Sequence, residues 1–361
     1  MRTSRSARPA PADRVPDRAG VVSDDTDPHA SESYETPAAG GRIVYDYHVH
    51  TNYSDGGFLR RMVNAAADAG LDGVGIADHC NVFPDADAER HRRAFGFNLD
   101  ITYERRRAAI ADARERTDIA VFDAVEMDYH PAHEAEIGAY LDEAGFDYAV
   151  GSVHDLDGTN VHIRPHFADK PEAERRELVD RYFEKLVDLV ESELFAVAAH
   201  PDLIERNPHL RGFATDDHYA RVADAFASSR TVPEINAGRL LDGYGEFHPA
   251  PAFLDTLAER GVEVTVGTDS HEPDVIAPRI EGIERELDER GLDPVYVHTV
   301  ADRLPASAVD PPRADRVVRA HHGHRVALVV ERRRPPAEIV VGVGVRSGPD
   351  VDRERLSGRE R

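Results

Sequence analysis

Short runs of β-branched and other apolar residues recur through the middle of the chain, at 42–49, 73–77, 119–125, 148–153, 194–199, 231–235 and 262–266. Runs of this length bounded by turn residues predict buried strands. Between most of them lie segments with apolar residues at helical spacing, 59–69, 103–116, 173–191, 218–227 and 251–260. Gly70, Gly145 and Gly261 each closely follow a helical run, where a left-handed residue ends a helix. Strand–helix alternation of this kind predicts an α/β fold on a parallel sheet, either open or closed into a barrel. There is no internal repeat.

The flanks differ. Residues 1–41 are rich in Pro, Ala, Ser, Asp and Arg without periodicity, and a disordered N-terminal extension is expected there. Residues 301–361 are Arg-rich and interrupted by Asp310-Pro311-Pro312 and Pro335-Pro336, so a poorly ordered C-terminal extension is expected. The folded domain is thus placed at 42–300.

A chain of 361 residues can bury a large core unaided. Its single cysteine, Cys80, excludes a disulfide framework and a Cys-built zinc or iron–sulfur site. No stretch approaches the roughly 20 apolar residues of a membrane span. Nor does an apolar run follow the N-terminal arginines, so a cytoplasmic location without membrane contact is expected. Acidic residues outnumber basic ones 68 to 44, a net charge of −24. Such a body repels a phosphate backbone, so no stable nucleic-acid partner is expected. Lys170 and Lys185 are the only lysines. Heavy acidity with so little lysine suits a salt-rich, halophilic cytosol in which repulsion is screened.

Candidate chemistry sits where the strands end. His48 and His50 close the first run, Asp78 and His79 follow the second, Glu126 the third and His154 the fourth. His200 follows the fifth, Asn236 the sixth, and Asp269 and His271 the seventh. In α/β barrels these ends converge on one mouth, where active sites form. Strand residues i and i+2 share a face. His48-Val49-His50 therefore offers two imidazoles to one point, and Asp269-Ser270-His271 a carboxylate and an imidazole. Taken singly, each residue reads as well as a buried histidine, a helix cap or a turn anchor; their convergence points to metal. Imidazole and carboxylate without thiolate suit zinc, iron or manganese. Six histidines with Glu126, Asp269 and Asp55 exceed the three or so ligands of one open site. Two or three divalent ions are expected, with Glu126 as a bridge. Other motifs fail: after His133-Glu134, Ile137 stands where a zincin needs its second histidine.

In chain order, Tyr45-Asp46-Tyr47-His48-Val49-His50-Thr51 with Ser54-Asp55-Gly56, Ala77-Asp78-His79, Val125-Glu126, Gly151-Ser152-Val153-His154, Ala199-His200-Pro201-Asp202 and Gly267-Thr268-Asp269-Ser270-His271 resemble the successive motifs of the PHP (polymerase and histidinol phosphatase) phosphoesterases. The resemblance implies a distorted (β/α)7 TIM-like barrel, which agrees with the seven runs. It also implies a trinuclear site held by His48, His50, His79, Glu126, His154, His200, Asp269 and His271, with Asp55 in addition. Residues 151–158 and 234–238 look most like the histidinol-phosphatase branch. Ser54-Asp55-Gly56 is more familiar from nucleotide- and oligonucleotide-cleaving branches.

The implied activity is hydrolysis of a phosphate monoester by a metal-bridging hydroxide, with Glu126, Asp269 and His271 at the reacting centre. L-Histidinol phosphate, a small metabolite of histidine biosynthesis, is the first expected substrate. Nucleotides or short oligonucleotide ends are the alternative, and a non-catalytic, metal-stabilised accessory domain is a third reading. Arg239 is the candidate phosphate clamp because its planar fork matches phosphate, with Arg164 and His248 as further substrate contacts. Asp78 and Asp202 are expected to orient ligand histidines, and Asn236 to support them.

Overall fold

The seven apolar runs become seven parallel strands: β1 Tyr45–Val49, β2 Gly73–Ile76, β3 Ala120–Asp128, β4 Tyr148–Ser152, β5 Val197–Ala198, β6 Val232–Asn236 and β7 Thr265–Gly267. They belong to a computed structural model that describes residues 42–297. The extensions expected at 1–41 and 301–361 lie outside the described residues. Strands pair in chain order. A parallel bridge between Val49 and Ser270 joins the last to the first, with the Asp269 amide donating to the His48 carbonyl (2.7 Å) and the His50 amide to the Ser270 carbonyl (3.0 Å). The sheet is a nearly closed (β/α)7 barrel.

Around it run α1 Leu59–Asp68, α2 Ala86–Phe95, α3 Leu99–Arg114, α4 Glu134–Ala144, the short α5 Arg164–Ala168, α6 Glu172–Glu191, α7 Asp216–Ser228, α8 Pro251–Glu259 and α9 Ile276–Arg290. The helical spacing predicts α1, α3, α6, α7 and α8. It misses α2, α4, α5 and α9; the pattern of α9 is interrupted by Pro278 and Gly282, and Pro278 falls in the first turn, where an amide has no helical acceptor to lose. Gly145 ends α4 at φ 62°, in the conformation expected of it. No helix among the described residues is long and apolar enough to cross a membrane.

Side-chain alternation layers the barrel interior. Tyr45, Tyr47, Ala124, Tyr148, Val150, Val197 and Val232 form the inner apolar cluster, while Val49, Val125, Ala149, Ala198 and Ile235 pack outward against the helices. Counting by twos from the inner residues leads from Ala124 to Glu126 and Asp128, from Val150 to Ser152 and His154, and from Val232 to Glu234 and Asn236. The floor is thus apolar and the mouth polar. In β1 the register shifts between Asp46 and Val49. This irregularity moves Val49 to the outer layer although Tyr45 and Tyr47 face inward, and it turns both His48 and His50 to the mouth.

One buried cation ties a helix to the mouth. Arg106 of α3 is fully buried, donates to the carbonyls of Ile76 and Ala124, and pairs with Asp78 (3.2 Å) and Asp123 (2.6 Å). Asp78 in turn accepts from the Thr51 amide and hydroxyl and from the Ser54 hydroxyl. Its role therefore differs from the expected one: among the described residues its carboxylate pairs with no histidine and instead fastens the loop between His50 and Asp55. Removing one partner of such a buried pair leaves a charge uncompensated, at a cost of about 3–5 kcal/mol. Arg106→Met should lower the unfolding free energy by about that amount in a denaturant titration. A loss under about 1 kcal/mol would show that Asp78 and Asp123 do not depend on the guanidinium.

Candidate functional site

At the polar end of the barrel, Glu126 is 1% exposed and five imidazoles surround its carboxylate. Oε2 lies 2.7 Å from His79 Nδ1 and 3.4 Å from Nε2 of both His48 and His50. Oε1 lies 3.0 Å from His200 Nε2 and 3.3 Å from His154 Nε2, and accepts from the Ser152 hydroxyl at 2.5 Å. His50 Nε2 is 3.2 Å from Asp269 Oδ1. Asp55 completes the ring, 3.3 Å from His271 Nε2 and 3.7 Å from both His79 Nε2 and His50 Nδ1. All nine residues expected as ligands therefore meet at one place, each delivered by a strand end or the loop following it.

The donor set fits divalent metal. His79 Nδ1 and Glu126 Oε2 are 2.7 Å apart, yet neither finds a hydrogen-bond partner of acceptable geometry. His50 Nδ1 and His200 Nδ1 are likewise buried without partners, and the Nε2 atoms of His48 and His50 face each other at 3.1 Å. Lone pairs that converge without donors between them are arranged for a cation. Three overlapping groups, His50–Asp55–His79–His271, His48–His50–Glu126 and His79–Glu126–His154, each bring their ligand atoms within 4.8 Å of one another. These buried His/Glu clusters are suited to several ions, and Glu126 belongs to two of them.

Electrostatics follow from this packing. Burial opposes the charge on Glu126, but the facing His79, His48 and His154 outweigh it and hold the carboxyl well below its ordinary range. Burial likewise opposes the cation of His154, yet Glu126 and Asp128 push that residue up to about 10. His50 falls to about 4, through burial first and then the neighbouring His271 and His79. His200 also falls to about 4, through burial that Glu126 only partly offsets. Asp269 (φ 50°) and His200 (φ 28°) hold left-handed backbone conformations, uncommon for side chains of their kind and frequent at functional sites.

The supporting residues differ from those expected. Carboxylates on the ligand histidines are Glu234, 2.8 Å from His48 Nδ1, and Asp128, 2.7 Å from His154 Nδ1. Asp202 instead holds His248, through Nδ1 at 2.5 Å. His248 is fully buried with its Nε2 accepting from Arg206 Nε (3.0 Å), so neither ring nitrogen is free for the substrate contact expected of it. Asn236 lies beside one of these carboxylates: its side-chain amide donates to Glu234 (2.8 Å) and its oxygen accepts from the Gly238 amide (2.8 Å). Arg206 had no signal in the sequence, since it lies in a 3-10 turn, Leu203–Arg206, outside any periodic pattern. It is nearly buried, 3.3 Å from Asp269 Oδ2.

These groups open into a cavity of about 520 Å³. His79, His154, His200, Asp269 and His271 form its floor, and Arg206 and Arg239 one wall. His91, Phe95 and Phe97 also line it, the Phe97 ring tilted against His79 with centroids 4.7 Å apart. Arg239 is half exposed and paired with Asp242 (2.6 Å), while Arg164 lies in an adjoining recess. Asp128→Asn should keep the fold but weaken divalent-ion affinity about 10–100-fold, as a lost partner on a ligand imidazole does. Competition against a chelator reads this directly, and an unchanged affinity would remove Asp128 from the support of the centre.

The PHP domain family model matches residues 46–238. A probable histidinol-phosphatase of Deinococcus radiodurans is 27% identical over 249 residues, covering 68% of this chain and 93% of that relative. The histidinol-phosphatase of Lactococcus lactis subsp. lactis is 25% identical over 241 residues, 63% of this chain and 83% of its own. Among solved structures, a histidinol phosphate phosphatase from L. lactis, complexed with zinc, L-histidinol and phosphate, aligns with a TM-score of 0.53 at 22% identity, over 70% of this chain and 95% of that one. The putative histidinol phosphatase of Listeria monocytogenes gives 0.57 at 17%, over 64% and 97%. At these identities the two structures speak for the barrel fold.

Proposed function

The chain belongs to the PHP domain family and is a metal-dependent phosphoesterase, and from that premise we propose that it hydrolyses L-histidinol phosphate to L-histidinol and phosphate. The observation that carries the reading is the Glu126 carboxylate ringed by five imidazoles, beside a cavity walled by Arg206 and Arg239. Curated relatives that span most of their own length on this chain are histidinol-phosphatases, which supports the choice of leaving group. So does the cavity wall: His91, Phe95 and Phe97 offer ring faces on which an imidazole can stack.

His48, His50, His79, Glu126, His154, His200, Asp269 and His271, with Asp55, would hold two or three ions of zinc, manganese or iron. When bound, such ions stabilise charge on phosphate oxygens and make water acidic enough to act as a nucleophile near neutral pH. Glu126 offers its two oxygens to different neighbours, Oε2 toward His79, His48 and His50 and Oε1 toward His200 and His154. Ser152 fixes the carboxylate by donating to Oε1. Glu234 and Asp128 set the ring orientations of His48 and His154. Arg206, fixed by His248 and Asp269, presents a guanidinium to the cavity, and Arg239 adds a second at the rim. Planar forks of this kind bind phosphate oxygens in pairs.

In molar KCl with manganese or zinc supplied, phosphate release from histidinol phosphate should exceed that from nucleoside monophosphates and a 5′-phosphorylated oligonucleotide by about 100-fold in kcat/KM, close to 3 kcal/mol of discrimination. Preference for nucleotides would keep the phosphoesterase and discard the histidinol assignment. Glu126→Gln should abolish turnover and lower the bound metal while the circular dichroism stays unchanged. Full activity in that variant would refute the bridging role.

A further inference from the structure

Beside the cavity at the barrel mouth lies a second of about 520 Å³, and the two share His162, Arg206, Arg239 and Asp242. Four arginines line this recess, Arg164, Arg206, Arg211 and Arg239, against one carboxylate, Asp242. With Asp242 on Arg239 and Asp269 on Arg206, four positive side chains less two negative leave +2 at its wall, in a chain whose net charge is −24. Clustered cations repel one another, and in so acidic a chain carboxylates are abundant enough to neutralise them. They are not used. Among the described residues Arg239 pairs with Asp242 and Arg206 with Asp269, whereas Arg164 and Arg211 pair with no carboxylate.

The recess is also held in shape. Arg206 is locked by His248, itself held by Asp202. Arg211 donates through Nε to the Glu205 carbonyl (2.7 Å), and its guanidinium stacks on Tyr244 at 4.6 Å. Stacking fixes the plane of the fork while its terminal N–H groups stay unengaged among the described residues. Preorganised guanidinium forks with surplus positive charge fit a phosphate dianion, which takes several charge-assisted hydrogen bonds at once.

We propose that this recess takes the second phosphate of a doubly phosphorylated ester whose first phosphate lies at the His/Glu cluster, which gives the chain a further activity on bisphosphate esters. The inference rests on the phosphoesterase reading of the neighbouring site but not on histidinol as leaving group, since histidinol phosphate has no second anion and leaves the recess empty. At the first phosphate, a bond forms from water oxygen to phosphorus and the bond from phosphorus to the alcohol oxygen breaks. The proton that water loses ends on that alcohol, and the second phosphate is retained.

The test uses the metal-loaded full chain with α,ω-alkanediol bisphosphates of about two to eight carbons, each against its monophosphate, to span the reach between the two cavities. At the best spacer, kcat/KM for the bisphosphate should exceed that for the monophosphate at least about tenfold, as one or two charged hydrogen bonds provide. Arg211→Gln should bring the pair within about twofold while monophosphate turnover, which also reports an intact fold, stays unchanged. Arg211→Lys should restore part of the preference. No preference at any spacer, or a preference that survives Arg211→Gln combined with Arg164→Gln, overturns the proposal. If neither ester nor histidinol phosphate is hydrolysed, the phosphoesterase reading fails, and calorimetric Kd values still decide the recess. A tenfold or so tighter bisphosphate, lost in Arg211→Gln, supports it; equal affinities overturn it.

Discussion

A carboxylate removed from water must be repaid by nearby positive charge or donors, and Glu126 imposes that condition on the rest of the barrel. Its desolvation works against ionisation, yet the surrounding imidazoles keep it charged. Five rings, two from β1 and one each from the ends of β2, β4 and β5, can reach one carboxylate only where the strands of a barrel converge. Those rings in turn need their far nitrogens held, which places Glu234 and Asp128 behind them. A charge at the centre thus dictates two shells of side chains around it.

Room for those shells is made in the backbone. Gly267 lies where any Cβ would collide with the Glu234 carboxylate and with His48, so the strand that closes the barrel must be bare at that point. Gly238 is bare for the same reason against Asp269. The register shift in β1 and the positive φ at Asp269 and His200 re-aim side chains that regular strands would point elsewhere. Local regularity is given up at the mouth and kept at the floor, where Tyr45, Tyr47, Tyr148 and Phe122 pack edge and face.

The alternation of apolar runs with helical segments made the barrel legible, because strands buried on both faces read as short continuous apolar stretches. The ligand set was legible for a related reason: a polar residue just beyond such a run marks the mouth, and i, i+2 spacing marks a shared face. The same spacing also points to Glu234, two residues before Asn236, and to Asp128, two after Glu126. What stayed hidden depends on contacts without sequence period. Arg206 comes from a short turn, and Asp78 and Asp202 follow strand ends as ligand-supporting acids would, yet serve Arg106 and His248. The choice among possible partners is made by packing, which residue order alone does not encode.

Asp202, His248, Arg206 and Asp269 form a chain of contacts of 2.5, 3.0 and 3.3 Å leading from α8's start to the ligand cluster. Arg206 therefore faces both cavities while His248 and Asp202, which line neither, hold it from behind. This fixed placement matters because of the charge of the whole chain. At ordinary ionic strength a body of −24 repels anions across a Debye length near 10 Å, so an anionic ester would approach slowly. At molar salt that length shrinks to about 3 Å, and neither repulsion nor long-range attraction survives beyond contact. Recognition must then come from donors already in position when the phosphate arrives. Guanidinium forks locked by histidine, carboxylate and aromatic neighbours meet that requirement, whereas flexible lysines would have to be ordered on binding, and among the described residues none lines either cavity.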